Sequence, residues 1–506
     1  MNQRGLMRDL VGGALGGAGG IFAYAAGAGL TGSRLAAALI SAAATALIFR
    51  LVRARRMVTL DETACFPALK IVSALATVAA LVQLTRLAIF IVDPAQVASS
   101  FIPASKWEAE HSCLSAYFVA AQAAPATPNV YDDALYSQPN DDPSGLRKAR
   151  MLGPFKIDVF EYPPPFLLLP RALLWLTSDF LRFRMLWFAL NGGVVLIALL
   201  AVARALGPAA GTRALLLSPL VWVALPTISN LQKGNVQGMV IALSMLAMVL
   251  FERRRFAAGG ILLAFVTASK LYPGLLVVYL LVRRRWKAVA WTAAAGAALA
   301  VLTLIDLGWA AYAAFLEHLP GLLGGEAFPA FRNPAATAIN FSIPGLVFKL
   351  KLFGLPGMGF GAMKIVGWVY TLVALAAVVF AARRRLRDDE QPLVWLAILI
   401  LATLRSPFLP QAYAAIPPLW LLTLMAAGGV ATARTTGATL AAWLALNIYW
   451  PTDWVIDPRL LATLNVVPQT VTIIVAAMAL RASDQRSGTA STSEPAAINL
   501  GSPFLR

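Results

Sequence analysis

The stretch EHSCLSAY, Glu110 to Tyr117, holds a carboxylate, one of the chain's two histidines (His111) and one of its two cysteines (Cys113) within four consecutive residues. A carboxylate can take a proton from an attacking hydroxyl, and an imidazole, with an ordinary pKa of about 6.5, can do the same near neutrality. If residues 107–121 form a helix, Glu110 and Cys113 are an i,i+3 pair on one face. The same three side chains could ligate a metal. Three ligands so close in sequence rarely close around one ion, however, and the sequence has no second cluster to complete the shell. No metal and no cofactor are therefore expected. A solvated polar loop is the competing reading for each residue.

What such groups do depends on where they sit. The chain of 506 residues is 59% hydrophobic and 13% charged, with a mean hydropathy of +0.72. A soluble protein carries roughly a quarter charged residues. Apolar runs long enough to cross about 30 Å of hydrocarbon recur from end to end, which predicts an all-α polytopic membrane protein. The net charge of +18 does not argue for nucleic acid, because the arginines stand in short clusters between apolar runs, as orientation in a bilayer requires. The first apolar run is Gly/Ala-rich and leads straight into a second, so no cleavable signal peptide is expected.

The strongest basic clusters are Arg50, Arg53, Arg55 and Arg56; Arg253–Arg255; Arg283–Arg285 with Lys287; and Arg383–Arg385 with Arg387. Placing all four on the cytoplasmic side predicts spans over 10–30, 35–50, 68–92, 183–204, 213–228, 236–251, 288–307, 361–382, 392–404, 412–428, 435–450 and 460–481. That makes about twelve crossings with both termini cytoplasmic. Residues 257–282 lie between two basic clusters yet suffice for only one full crossing. Two short helices turning at Lys270, Tyr272 and Pro273 keep both clusters on one side, and broken backbone at that depth must line a protein cavity. The outside segments are then 93–165, 229–235, 308–360, 405–411 and 451–459. Residues 336–356 are apolar but broken by Pro344, Gly345 and two lysines, which reads as an interfacial or re-entrant piece. Residues 1–481 form the membrane domain, and 482–506, rich in Ser and Thr, read as a disordered cytoplasmic tail. Cys65 falls inside and Cys113 outside, so no disulfide is expected.

Polar groups near the outer ends of spans carry the most information. Glu161-Tyr162-Pro163-Pro164-Pro165 closes the long loop and opens an apolar helix whose first turn tolerates proline. Gln232-Lys233-Gly234-Asn235 with Gln237 reads as an open helix start, suited to a sugar hydroxyl or a phosphate, or simply to capping. Lys270 is sharper. An ammonium in a membrane hairpin must face a cavity or a partner, and at about a dozen residues from either basic flank it cannot snorkel to the cytoplasmic surface. Arg405-Ser406-Pro407 offers a second cation, and Arg332, Asn333 and Asn340 add polar groups. Several cations with few acids on one face suggest a pocket for a phosphorylated lipid.

These segments together resemble glycosyltransferase family 87, polyprenyl-phosphate-sugar-dependent enzymes of the C-type membrane superfamily. Tyr117, Val130-Tyr131 and Tyr162-Pro163-Pro164 are spaced as in the family's long loop. The block QKGNVQGMVIALSMLAMVLFERRRFAAGGILLAFVTASKLYPGLLVVYLLVRRRWK resembles its Gly-Gln-x-Asn-like helix start, short Gly/Ala helix, Lys-x-x-Pro and basic end. Asn340-Phe341-Ser342-Ile343-Pro344-Gly345 is similar to its Asn-x-Ser-x-x-Gly element, and Arg405-Ser406-Pro407 with Tyr413 and Pro417 to its Ser-Pro…Tyr…Pro element. The likeness runs in order over residues 68–430. Two positions depart from it. Where the family carries an aspartate four residues before the tyrosine, taken as the catalytic base, this chain has Cys113. Its aromatic and histidine pair after Ser-Pro is replaced by Leu409-Pro410-Gln411.

The resemblance implies a C-type bundle of about twelve helices with re-entrant or interfacial helices on the outer side. The expected activity is transfer of a sugar, mannose or a similar hexose or pentose, from a polyprenyl-phosphate donor to a glycan or glycolipid at the outer face of a bacterial inner membrane. Glu110 would be the base, with His111 assisting or substituting. Lys270 and Arg405 would bind the donor phosphate, and Asn235, Gln237, Tyr162 and Asn340 would hold sugar or phosphate oxygens. The partners are the donor, the acceptor and the bilayer, and nucleic acid is not among them. A transporter or flippase of lipid-linked sugars needs the same cations but no base, although no repeat relates the halves of this chain. A catalytically inactive relative is the third reading.

Overall fold

The computed structural model describes residues 3–61, 63, 67–139, 147–387, 389–429, 433–454 and 457–489. It is 75% helical and nearly all-α. Among the described residues seven helices are long and apolar enough to cross a membrane: Gly5–Thr31, Arg34–Arg53, Pro67–Val92, Phe180–Ala205, Trp286–Gly324, Phe360–Arg383 and Pro458–Arg481. An eighth results if the pair Gly207–Val223 and Leu225–Lys233, bent by 61°, is one span. The remaining expected spans also lie on helices, but these are short. Gln237–Glu252, Gln391–Thr403 and Ile416–Gly428 have 16, 13 and 13 residues and are buried on nearly every side. Helices that are apolar all round belong in the centre of a bundle, and these three form its core.

Packing of the N-terminal pair follows from composition. The first helix is so rich in Gly and Ala that its backbone closes on the second, and a Cβ at Gly27 would lie 3.0 Å from the Cα of Ala37. Small residues permit such contact between membrane helices. Both basic turns of the central block bend through an arginine in the left-handed region, Arg254 at φ 59° and Arg284 at φ 55°. Between them, Phe256–Ser269 and Gly274–Val282 are separate helices that meet at Lys270–Pro273. Arg285 Nη2 stands 2.8 Å from Glu252 Oε1, so the ends of this segment return to one face. Arg283 donates to the carbonyl of Arg384 at 2.8 Å, which brings a third basic cluster to the same place. Further on, the long helix Trp286–Gly324 kinks at Gly308, φ 73° and ψ 177°, where the expected span ends.

Several local expectations are corrected. Residues 107–121 are not one helix. Lys106–Glu110 is a short helix, His111–Ser112 are extended, and a new helix runs from Cys113 to Ala123. The break arises because His111–Ser112 (β1) joins a small sheet with Met151–Leu152 (β2) and Phe155–Ile157 (β3), ordered β1-β3-β2. β1 runs parallel to β3, with His111 opposite Lys156 and Ser112 opposite Ile157. Gln232 and Lys233 do not start a helix. They end Leu225–Lys233, Gly234 caps it at φ 67°, and the next helix begins at Gln237. Residues 336–356 are split, with helices Pro334–Ala338 and Leu346–Leu352 on either side of an irregular loop. The last helix, Val466–Thr489, runs into the expected tail. The rest of that tail, from residue 490, and Cys65 lie outside the described residues.

Candidate active site

Three segments distant in sequence converge on Cys113. Its Sγ lies 3.0 Å from the hydroxyl of Tyr413 and 3.6 Å from Nε2 of His111, and the side chain of Asn235 is close by. His111 is held by its ring, which stacks on Trp107 at 4.6 Å and 17°. Its Nε2 faces Oδ2 of Asp158 at 3.8 Å. Burial is the largest influence on both titrating groups. It lowers His111 below its usual value, with the Asp158 charge opposing, and pushes the Cys113 thiol up to about 12, with Asp158 adding to the rise. At neutral pH the thiol is protonated and is no base.

Beside this cluster is a layer of tyrosines. Tyr117 donates to the hydroxyl of Tyr162 at 2.7 Å, which also receives Asn235 Nδ2 at 3.5 Å. The Val236 N–H reaches the Tyr117 hydroxyl at 3.3 Å. Lys270 Nζ sits over the Tyr162 ring, 5.4 Å from its centroid. Its charge acts on Glu161, whose carboxyl is nevertheless held above its usual value by burial first and Asp158 second. Gln237 is wholly buried against Tyr272, yet neither its amide atoms nor the Tyr272 hydroxyl makes a well-formed hydrogen bond. Buried polar atoms without partners are costly, and a ligand oxygen would satisfy them.

The structure thus brings His111, Tyr162, Asn235 and Lys270 together, with Gln237 next to them. Other expected residues stand elsewhere. Glu110 is tied to Lys156 at 2.9 Å and Lys106 at 3.7 Å. It lines a cavity of about 470 Å³ with Phe90, Pro103, Met151 and Phe155, to which Cys113, Asp158 and Lys270 do not contribute. Arg405 donates to Thr371 Oγ1 at 2.6 Å. Asn340 is buried and fully engaged, donating to the Pro407 carbonyl at 3.0 Å and accepting from the N–H groups of Ser342 and Leu409. It clasps the loop after Ala338 to the Arg405-Ser406-Pro407 segment.

Sequence reasoning passed over Asp158 and Glu108, and it read Gln232 and Lys233 as a helix start where the structure places them in a buried network with Glu108. Glu108 and Lys233, whose side chains are 1% and 6% exposed, pair at 2.8 Å. Tyr449 donates to the other oxygen of Glu108 at 2.6 Å. Gln232 donates to the Glu108 carbonyl and accepts from Phe101 N–H. Asp453 accepts from Ser105 at 2.7 Å. No spacing rule links residue 108 to residues 233 and 449, so only the fold reveals this network.

Chemically, the arrangement offers a carboxylate beside an imidazole, a protonated thiol, amide and phenol donors, and a half-buried ammonium. The ligand atoms of His111, Cys113 and Asp158 lie within 4.8 Å of one another. Donors around a tetrahedral zinc stand about 3.3–3.5 Å apart, so a small inward movement would admit one ion with an open fourth position. Residues 160–407 match the model of glycosyltransferase family 87. The matched region includes Tyr162, Asn235, Gln237, Lys270, Asn340 and Arg405, and begins just after Asp158. No curated protein and no solved structure matches the chain.

Proposed function

We propose, from the match of residues 160–407 to glycosyltransferase family 87, that this chain is a membrane glycosyltransferase that moves a sugar, mannose or a similar one, from a polyprenyl-phosphate donor to a glycan or glycolipid. The reaction takes place on the face opposite the basic turns, the periplasmic side of an inner membrane. The observation that carries this reading is Lys270. It lies at the break between two short membrane helices, over the ring of Tyr162 and near Asn235. An ammonium at such a break serves a fixed anion, and the leaving group of a lipid-phosphate sugar is a phosphate whose charge grows as the glycosidic bond breaks.

Asn235, Gln237 and Tyr162 supply the donors and acceptors that a sugar or phosphate needs. Arg405 and Asn340 belong to the paired segments on the far side of Tyr413. In this reading they support the pocket, and Arg405 also contributes positive potential. The proton acceptor is to be found beside Cys113, where His111, one of the two candidates named by the sequence, is joined by Asp158, while Glu110, the other, is paired with Lys106 and Lys156.

The test is transfer from polyprenyl-phosphate mannose, labelled in the sugar, to lipids of native membranes by the purified protein. Lys270→Ala removes a charge-assisted contact of about 1.5–3 kcal/mol, so turnover or donor binding should fall tenfold or more. Lys270→Arg should recover part of the loss, since the guanidinium is broader and planar. Normal transfer by the alanine variant would make the lysine structural. Movement of labelled donor across vesicles without transfer would make the protein a flippase.

A further inference from the structure

We infer that the proton-accepting carboxylate of this chain has moved across a strand pair, so that Asp158 receives the acceptor proton in place of a carboxylate at position 113. The inference deepens the glycosyltransferase reading and rests on it.

The strand register supplies the first argument. β1 and β3 are parallel, with Ser112 opposite Ile157, and the next residues along the two strands are Cys113 and Asp158. They leave the sheet side by side. Ser115 fixes this exit. Its hydroxyl donates to the Ser112 carbonyl at 2.5 Å and accepts the Asp158 N–H at 3.0 Å. Arg147 donates to the carbonyl of Ile157 at 2.9 Å from the other side. The carboxylate is itself oriented, since Oδ1 accepts the Val159 N–H at 3.0 Å and Oδ2 turns to His111. A carboxylate oxygen of Asp158 lies within 4.8 Å of Cys113 Sγ. One residue away in space, it occupies ground that an aspartate at 113 would reach.

Availability supplies the second argument. The Asp158 side chain is 35% exposed, so an acceptor hydroxyl can reach it. Cys113 is 5% exposed and its thiol is bonded to Tyr413. Glu110 is closer in sequence, but the strand break turns it to the opposite side, where two lysines hold it. Glu161 is the other carboxyl near Lys270. Its protonated form is favoured by burial and by the neighbouring Asp158, so it is the poorer proton acceptor.

The step balances without a co-reactant. The acceptor oxygen forms a bond to the anomeric carbon and its proton passes to Asp158. The bond from that carbon to the donor phosphate breaks, and its electron pair leaves with the phosphate, beside Lys270.

The test compares four variants of the full-length protein, using polyprenyl-phosphate mannose as donor and native membrane lipids as acceptor, with donor binding measured in parallel. Asp158→Asn should lower kcat by about 10²–10⁴-fold while donor affinity stays within a factor of about three. Adding Cys113→Asp to Asp158→Asn should restore at least tenfold of that loss. Unchanged donor affinity also shows that the single variant folds. Asp158→Asn with undiminished kcat overturns the inference, as does loss on Glu110→Gln or Glu161→Gln without loss on Asp158→Asn. Turnover abolished by a chelator and restored by zinc would make the three side chains metal ligands and also overturn it. An unaltered protein that transfers no sugar overturns the functional reading and this one together, whereas a transferring protein indifferent to Asp158→Asn overturns this one alone.

Discussion

At the scale of single residues, the site is built from groups whose partners are few and identifiable. Tyr162 is the clearest case, because its hydroxyl receives both Tyr117 and Asn235. Tyr162→Phe should strand the buried Tyr117 hydroxyl and cost about 1–3 kcal/mol. Adding Tyr117→Phe should not recover this, because the buried Val236 N–H then loses its acceptor. Thermal melts of both variants in detergent check it, and a double variant more stable than the single one would show that Val236 does not depend on Tyr117. Lys270 and Tyr162 were legible because cost and motif both mark them, an ammonium at membrane depth and a tyrosine before a proline run. Asp158 was not. It takes its place from a parallel pairing of strands two and three residues long, which have neither the length nor the alternation to be seen in a sequence. Cys113 was legible as an anomaly, and the structure adds the reason that it is inert, burial of its thiol against Tyr413.

At the scale of elements, breaks in helices position chemistry more than helices do. Lys270 sits at one break, His111–Ser112 form another, and Gly234 turns the chain between Lys233 and Asn235. The break at Lys270 was legible from charge, since both flanks are basic and one bilayer face must take both. That at His111 was not, because local helix propensity runs through it and only β3 overrides it. The buried Glu108–Lys233 pair joins the long loop after Val92 to the end of Leu225–Lys233, and removing one partner leaves an uncompensated charge. Lys233→Met should destabilise by about 3–5 kcal/mol, and Lys233→Met with Glu108→Gln by clearly less. Melting temperatures of the two single variants and the double check this. A double variant that loses the sum of the singles would show that the charges act independently.

At the scale of the whole molecule, the basic turns after Glu252, Val282 and Arg383 gather on one face, and Lys270 lies at the opposite ends of the two helices, Phe256–Ser269 and Gly274–Val282, that join two of these turns. This supports the expected sidedness, though labelling Cys113 is a poor probe of it. The thiol is 5% exposed and pushed up to about 12, so reagents that need thiolate react slowly from either side. Introduced cysteines serve better. An impermeant maleimide should modify Ala126→Cys in intact spheroplasts and Arg385→Cys only after permeabilisation, both positions being exposed. The reverse pattern would invert the molecule. The all-helical membrane class was legible from composition alone. The span count was not, because the three most buried helices are too short to meet the length of a lone crossing and depend on neighbours that the sequence does not name. The contacts that fasten the long loop after Val92 have a consequence for synthesis. Glu108 bonds to Tyr449 and Ser105 to Asp453, across 341 and 348 residues. At roughly 5–20 residues per second, the loop bearing His111 leaves the ribosome roughly 20–70 s before those contacts exist. A nascent chain arrested before residue 449 therefore carries the site residues without the contacts that fasten their loop, and assembly of the site is among the last events in the birth of the protein.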